Sequence, residues 1–280
     1  SESVCGGVEI ARFRLLIAAL TGAEIVRLGS APDFRVHVVT GDSLLHGKQF
    51  GLTQTLGMFE SASDYASTGL THAYAVEDLD ALRAVLGQQY HAVVGNPPYI
   101  VPNDAALNEK YRGIYVSCHR KYSLRAPFTE RLFKLAVSAE PGSAREGGFV
   151  GLITANSFMK REFGRKLVEE VLPHMDLTHV VDTSGAYIPG HGTPTVILLG
   201  RNRKRDVALV RAVLSISGEP SEPADASRGL VWRSIVELID TPGARNPFVS
   251  VSDLEKAALS VFPWSLTGGD APEAKNSIES

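Results

Sequence analysis

The sequence predicts an α/β fold in which a mostly parallel sheet is covered by helices on both faces. Short apolar segments that suit buried strands alternate along the chain with longer amphipathic segments that suit helices. Two of the predicted strands end in polar turns, which is where open α/β sheets bind ligands. The chain has 280 residues, 44% of them hydrophobic and 21% charged, and this composition is that of a globular protein.

The first third of the chain is predicted to contain two helices, one strand and one long irregular segment. The helices cover residues 11–20 and 76–86, the strand covers 34–40, and the irregular segment, rich in Gly, Ser and Thr, covers 43–75. Gly87 follows the second helix and is its expected C-cap. Gly41-Asp42 follows the strand and is therefore expected at the carboxyl edge of the sheet.

The rest of the core is predicted to contain four strands and two helices. The strands cover residues 91–95, 149–153, 177–182 and 195–199, and the helices cover 128–138 and 157–172. Pro173 closes the last helix because proline cannot continue one. These elements complete a core that we assign to residues 1–214.

The C-terminal segment is predicted to be a linker followed by a partial extension, over residues 215–280. Prolines and acidic residues accumulate from 215 to 228, as in linkers. Beyond them, residues 231–239 suit a short strand or a helix, 262–266 form an aromatic patch, and the last ten or so residues suit disorder. The segment is too short to bury a core by itself.

Composition and charge exclude several classes of protein. Two cysteines, Cys5 and Cys118, are too few for a disulfide framework and favour a reducing, cytoplasmic setting. No cysteine–histidine cluster has the spacing of zinc ligands, so no metal is predicted. There is no signal peptide and no apolar run of about 18 residues, so no membrane partner is predicted. A net charge of −3 and a pI near 6.2 argue against general coating of nucleic acid.

The most informative feature of the chain is the tetrapeptide Asn96-Pro97-Pro98-Tyr99, which directly follows the apolar strand at 91–95. The two prolines fix φ and have no backbone N–H, so this segment can neither become helix nor continue a ladder. Asn96 and Pro97 can offer two oxygen acceptors to one NH2 group, while Tyr99 can stack on the ring that carries it. This combination suits binding of the exocyclic amine of adenine.

Basic residues cluster at two places along the chain. Residues 110–125 contain no acid, interleave tyrosines with basic side chains and follow the tetrapeptide directly, so they are candidates for contacts to phosphates. Arg112, Arg120 and Lys121 are its candidate DNA-binding residues, joined by His191 in a glycine-flanked loop. A second cluster at 201–205 better suits a solvated face.

Several further segments have the order and composition of a known family. They are residues 7–10, 11–16, Gly41-Asp42, 149–154, 156–158, 190–200 and 263–266. With these segments and its proline motif, the chain resembles S-adenosylmethionine-dependent DNA N6-adenine methyltransferases. The likeness is greatest to the large adenine-specific enzymes of restriction and BREX-type phage-defence systems.

The resemblance implies a Rossmann-like class I methyltransferase sheet, S-adenosylmethionine as cofactor, DNA as partner, and association with other proteins of restriction or phage-defence systems. It assigns catalysis to the motif at 96–99. It also assigns cofactor binding to Glu9 at the end of a second strand, to Asp42 and to Asn96. The family's glycine-rich loop should lie upstream of Gly7, so we expect a truncated core whose sheet is incomplete at its N-terminal edge and lacks the first strand and that loop.

The implied reaction depends on the proline motif. Asn96 Oδ1 and the Pro97 carbonyl would accept both N–H bonds of a flipped adenine, which localises the lone pair of N6 for in-line attack on the sulfonium methyl. Phe158 or Tyr187 could form the opposite wall, although core packing is favoured for both. Two alternatives stay open: N5-methylation of a protein glutamine, and a catalytically inert module that binds DNA or a partner.

Overall fold

A computed structural model describes residues 2–46, 78–139, 146–190, 192–204 and 208–266. The chain divides into two compact units, Ser1–Gln88 and Gln89–Ser280. Within the described residues, no helix combines the length and apolar composition needed to cross a bilayer.

The described part of the first unit contains helices α1 (Glu2–Gly22) and α2 (Leu79–Leu86) and a 3-10 turn at Leu28–Ser30. Helix α2 is confirmed where residues 78–86 are described. Asp78 caps its N-terminus by accepting from Ala81 N at 2.9 Å, and Gly87 is its C-cap, donating to Arg83 O at 2.8 Å. Helix α1 contains the predicted helix 11–20 and extends it toward the N-terminus.

Two expectations for this unit are wrong. Residues 7–10 lie inside α1 rather than in a strand, because a helix that is already nucleated lengthens at the gain of one hydrogen bond per residue. Residues 34–40 form no strand, since nothing among the described residues pairs with them. Alternating hydrophobicity suggested a strand there, but a strand exists only when a neighbour supplies its ladder.

The second unit is built on one six-stranded sheet with the order β1-β2-β4-β3-β5-β6. Its strands are β1 (Ala92–Gly95), β2 (Phe149–Ala155), β3 (Asp176–Asp182), β4 (Thr195–Arg201), β5 (Leu209–Ser215) and β6 (Val249–Glu255). Four of them run in one direction, whereas β4 and β6 run in the other. The α/β class and the mostly parallel strand direction are confirmed, and β1 pairs only with β2 among the described residues.

All four strands predicted for this unit are present, and two more were missed. Strand β4 is antiparallel to β3 because the short connection between them contains no crossover helix, which a parallel pairing needs. Strand β6 was missed although Val249 and Val251 alternate with serines along it and face the core. Because β6 pairs with β5, segment 215–280 contributes to the same sheet as the core, and its status as a separate extension stays a prediction.

The helices of this unit are α3 (Ala105–Ile114), α4 (Arg125–Leu135) and α5 (Leu230–Leu238). Helix α3 was not predicted, although Asp104 caps it by accepting from Leu107 N at 2.8 Å. Helix α4 begins and ends three residues before the predicted helix 128–138. Helix α5 resolves the choice at 231–239 in favour of a helix.

The predicted helix 157–172 is not a regular α-helix. Its residues form 3-10 turns at Asn156–Met159 and Glu162–Gly164, a π-helical turn at Leu167–Val171 and a further 3-10 turn at Leu172–His174. The tight winding brings Gly164 against the Phe158 carbonyl, where a Cβ atom would lie only 1.9 Å from the oxygen. The amphipathic pattern is real, but the backbone geometry is irregular.

Candidate active site at the end of strand β1

The proline corner, which we define as residues 96–99, lies at the carboxyl end of β1, as the sequence predicts. Helix α4 packs closely against this end of the strand. The Leu132 side chain lies so near Gly95 that a Cβ on that glycine would be only 2.7 Å from it. Pro97 is buried, Asn96 is exposed and Tyr99 is half-buried. The corner is thus anchored through Pro97 and presents the Asn96 amide to solvent.

The segment after the corner is tied to the start of α4. The Ile100 carbonyl accepts two hydrogen bonds, from Leu124 N at 2.9 Å and from Ser123 Oγ at 3.0 Å. The Arg125 guanidinium lies over the Tyr99 ring, with Cζ 4.9 Å from the ring centroid. Burial raises the pKa of Tyr99, although the Arg125 charge opposes this, so the ring is a neutral phenol at physiological pH.

Of the predicted DNA-binding residues, Arg112 is used to hold the loop that follows α3. Its guanidinium donates to Cys118 O at 2.9 Å and to Arg120 O, and it lies over the Tyr122 ring at 5.1 Å. Arg120 has a positive φ of 53° and is exposed, as is Lys121. His191 lies outside the described residues. DNA binding by these four residues stays a prediction.

A buried carboxyl group on α4 accepts a hydrogen bond from the loop that follows α3. Glu130, in α4, is 4% exposed and accepts from Ser117 N at 3.1 Å. Burial raises the pKa of Glu130, and the hydrogen bonds from Ser117 only partly offset this. Sequence reasoning missed Glu130, although an acid among the apolar positions of a helix is a recognisable signal for a buried hydrogen bond.

Asp42, in the first unit, is a half-buried turn residue. Its Oδ1 accepts from Leu44 N at 2.8 Å and from Leu45 N at 3.2 Å, which is the local pattern that favours aspartate in turns. These two bonds orient the carboxylate. Its predicted contact with the cofactor adenine stays a prediction.

Glu9 does not have the predicted setting. It lies within α1, its side chain is 69% exposed, and it pairs with Arg12 at 3.3 Å. The ribose-binding role assigned to it depended on the end of a second strand, and that strand is absent here. The assignment therefore loses its structural support.

The aromatic residues considered for a second wall have other contacts. Phe158 is in the core, where its ring meets that of Trp264 edge to face at a centroid distance of 5.6 Å. Trp264, from the predicted aromatic patch, is buried and donates from Nε1 to Leu259 O at 2.8 Å. Tyr187 donates from its hydroxyl to Glu222. Core packing is thus observed for Phe158.

Two residues of the second basic cluster are ion-paired. Arg201 contacts Glu146 at 2.7 Å, and Arg203 contacts the buried Asp176 at 2.7 Å. Lys204 is exposed, and Arg205 lies outside the described residues, so the solvated face expected for this cluster stays a prediction.

Comparison with known proteins identifies the family. The model of the Eco57I restriction-modification methylase family matches residues 6–188, which is more than half of the chain. The chain belongs to this family. The resemblance seen in the sequence is thereby confirmed, and the proline corner falls within the matched part of this Eco57I-family chain.

Relatives of this Eco57I-family chain carry methyltransferase names. It is 47% identical over 269 residues to the adenine-specific methyltransferase PglX of Streptomyces coelicolor, a match that covers 94% of the chain and 22% of the relative. It is 32% identical over 147 residues to the type II methyltransferase M.PaeR7I of Pseudomonas aeruginosa, covering 51% of the chain and 24% of the relative. The chain thus spans less than a quarter of the length of these relatives.

Among solved structures, the chain matches the modification subunit of a putative type I restriction enzyme from Vibrio vulnificus YJ016. That match covers 69% of this chain and 40% of the other, with a TM-score of 0.48 and 11% sequence identity.

Proposed function

We propose that this chain is the part of an adenine-specific DNA methyltransferase that holds the target base while a methyl group is transferred to its N6 atom. The observation that carries the proposal is the placement of Asn96. Asn96 is exposed at the carboxyl end of β1, in the segment that continues to Pro97 and Tyr99, in a chain of a methylase family. These are the acceptors and the stacking surface that an adenine amine requires.

The chemistry assigned to these residues is positioning and electrostatic stabilisation. Asn96 Oδ1 and the Pro97 carbonyl accept the two N–H bonds of the amine and direct its nitrogen lone pair away from the ring. Tyr99 stacks on the base and offsets part of the stacking energy that the base loses on leaving the duplex. The raised pKa of Tyr99 keeps this surface uncharged.

S-adenosylmethionine supplies the electrophilic methyl group on its sulfonium when bound. The residues present fit this cofactor in their chemistry, since the oriented Asp42 carboxylate is an acceptor of the kind that the adenine amine of the cofactor needs. Asn96 is also proposed to contact the cofactor.

The proposed polymer partner is DNA. Arg120 and Lys121 are exposed on the loop after α3 and provide charge for phosphate contacts, whereas Arg112 has donors that already bind backbone carbonyls. Other proteins of restriction or phage-defence systems are proposed as partners, in a cytoplasmic setting.

The proposal is tested by transfer of tritiated methyl groups from S-adenosylmethionine to adenine-containing DNA. We expect incorporation into DNA by the wild type and its loss in Asn96→Ala, because the variant removes one of the two acceptors. Asn103→Ala, which truncates an exposed asparagine shortly after the corner, is the matched control and should keep activity.

Other outcomes of this assay select the alternatives. Label in protein glutamine rather than DNA would indicate N5-methylation. An absence of transfer, together with no heat on calorimetric titration with S-adenosylmethionine, would indicate a catalytically inert module. Equal transfer by the wild type and Asn96→Ala would exclude the role given to the proline corner.

A further inference from the structure

A chain of contacts links the ring of Tyr99 to the backbone beside it. The Ile100 carbonyl accepts from Ser123 Oγ at 3.0 Å, and Ser123 Oγ accepts from Arg125 Nε at 3.0 Å. The Arg125 guanidinium then lies over the Tyr99 ring at 4.9 Å. The path thus runs from the backbone next to Tyr99 back to its own ring, and it fixes the ring relative to that backbone.

Arg125 is held in this place at a cost. Among the described residues no carboxylate acts electrostatically on Arg125, and its Nη1 atom is buried without a hydrogen-bond partner. Burial lowers the pKa of Arg125, and the neighbouring positive charge of Arg161 acts in the same direction. An apolar side chain would fill such a space without leaving a buried donor unmatched. Packing alone therefore does not account for a guanidinium here.

The contact between Arg125 and Tyr99 makes the two faces of the tyrosine ring different. The guanidinium covers one face of the ring, so a base that stacks on Tyr99 must use the other. A planar cation over an aromatic ring is attracted by its π electrons and also restrains its tilt. Ser123 holds the plane of the guanidinium through the single Nε–H bond.

We propose that Arg125 is a positioning residue for the target base: it holds the Tyr99 ring, through the cation–π contact and the bond to Ser123, in the orientation in which the flipped adenine stacks. This inference rests on the proposed function. It adds a residue that lies outside the proline motif, 26 positions after Tyr99, and that acts on the base only through Tyr99.

The test compares Arg125→Gln and Arg125→Lys in the 280-residue chain. Lysine keeps the charge but has neither the planar group nor the Nε–H bond, and glutamine has a planar amide but neither the charge nor the Nε–H bond. The matched control is Arg201→Gln, because Arg201 also lies over an aromatic ring. That ring belongs to Phe149, the first residue of β2, and its centroid is 4.2 Å from the guanidinium.

The first measurement is the ionisation of the Tyr99 phenol, followed by NMR of ring-labelled tyrosine and assigned with Tyr99→Phe. Because the Arg125 charge lowers the pKa of Tyr99, Arg125→Gln should raise it, whereas Arg201→Gln should not. This readout does not require DNA. An unchanged pKa would refute the contact on which the inference depends.

The second measurement uses oligonucleotides with 2-aminopurine at the target position, whose fluorescence is quenched when the base stacks on an aromatic ring. We expect both Arg125 variants to lose quenching and to bind this oligonucleotide roughly 2- to 30-fold more weakly than the wild type. Binding of an oligonucleotide that lacks the target base should not change. Equal weakening for both oligonucleotides, with a smaller salt dependence, would instead indicate a phosphate contact and overturn the positioning role.

Failure of the inference can be distinguished from failure of the proposed function. If wild type methylates adenine and both Arg125 variants quench 2-aminopurine as the wild type does, only the positioning role is refuted. If the wild type neither binds nor methylates DNA, the proposed function is refuted, and the positioning role with it.

Discussion

The bond between Glu130 and Ser117 N allows a sharp test of how the loop that follows α3 is held. Ser117 is fully buried, and its backbone N–H has the Glu130 carboxyl as its hydrogen-bond acceptor at 3.1 Å. Glu130→Ala leaves this donor buried and unmatched, which costs about 1–3 kcal/mol. For a unit of this size, the corresponding fall in Tm is roughly 2–12 °C.

Glu130→Gln separates the hydrogen bond from the charge. The glutamine carbonyl oxygen can still accept from Ser117 N, so this variant should be more stable than Glu130→Ala. It also removes the ionisable group. Because burial raises the pKa of Glu130 in the folded protein, the folded state binds the proton more tightly than the unfolded state does.

The sign of the pH dependence follows from this difference. Wild-type stability contains a contribution that is fully present below the unfolded pKa of about 4.3 and is lost as the pH rises through the higher folded pKa. Glu130→Gln has no such contribution. The free energy of unfolding of Glu130→Gln relative to the wild type should therefore increase as the pH rises over that interval.

Urea unfolding at several pH values, followed by tryptophan fluorescence, measures these differences. Both tryptophans, Trp232 and Trp264, lie in the second unit, so the signal reports on the unit that contains Glu130. If Glu130→Gln is as unstable as Glu130→Ala at every pH, the hydrogen bond to Ser117 N is not what Glu130 contributes. If the difference between Glu130→Gln and the wild type is the same at all pH values, the raised pKa is refuted.

Two further predictions concern packing and thiol chemistry. Gly164→Ala places a Cβ 1.9 Å from the Phe158 carbonyl oxygen, so it should lower the free energy of unfolding in urea by about 1–3 kcal/mol. In the control Gly192→Ala, the new Cβ meets nothing within 4 Å, so its stability should be near that of the wild type. Equal unfolding midpoints for the two variants would contradict the tight turn at Gly164. Burial raises the pKa of Cys118 to about 12, so its thiolate fraction should be about 10³-fold lower than that of an exposed cysteine. In a Cys5→Ser background, Ellman's reagent should therefore react with the protein only after denaturant is added. Fast modification of the native protein would show that the thiol is neither buried nor protonated.

The sequence predicted correctly those parts of the fold in which a residue restricts its own backbone, such as a proline after a strand or a glycine at a helix end. Strand β1 and its proline corner were found because an apolar run that meets two prolines allows only one local structure. Gly87 was found for a similar reason, as a helix end marked by glycine. These are features in which the residue itself restricts the backbone.

Features that depend on a partner elsewhere in the chain were predicted less well. Residues 34–40 have the alternation of a strand but no described neighbour, and β6 was missed although its alternation is clear. Glu9 was assigned to a strand end because a family pattern placed it there, while the chain around it forms α1. In each case the outcome depends on pairing or on helix propagation, which a local pattern does not contain.

The proline corner combines both kinds of feature: one determined locally and one that depends on residues elsewhere in the chain. Its two prolines restrict the backbone of residues 96–99 locally, so Asn96 could be named from the sequence as the group proposed to bind the amine. The ring of Tyr99, by contrast, has free side-chain torsions, and its restraint comes from Arg125 and Ser123 at the start of α4. A motif can therefore specify which groups meet the substrate while the orientation of one of them is determined more than twenty residues away. If Ser123→Ala, which removes only the bond to Arg125 Nε and the bond to the Ile100 carbonyl, left the Tyr99 ring as ordered as in the wild type by NMR relaxation, this division would be wrong and the corner would be sufficient by itself.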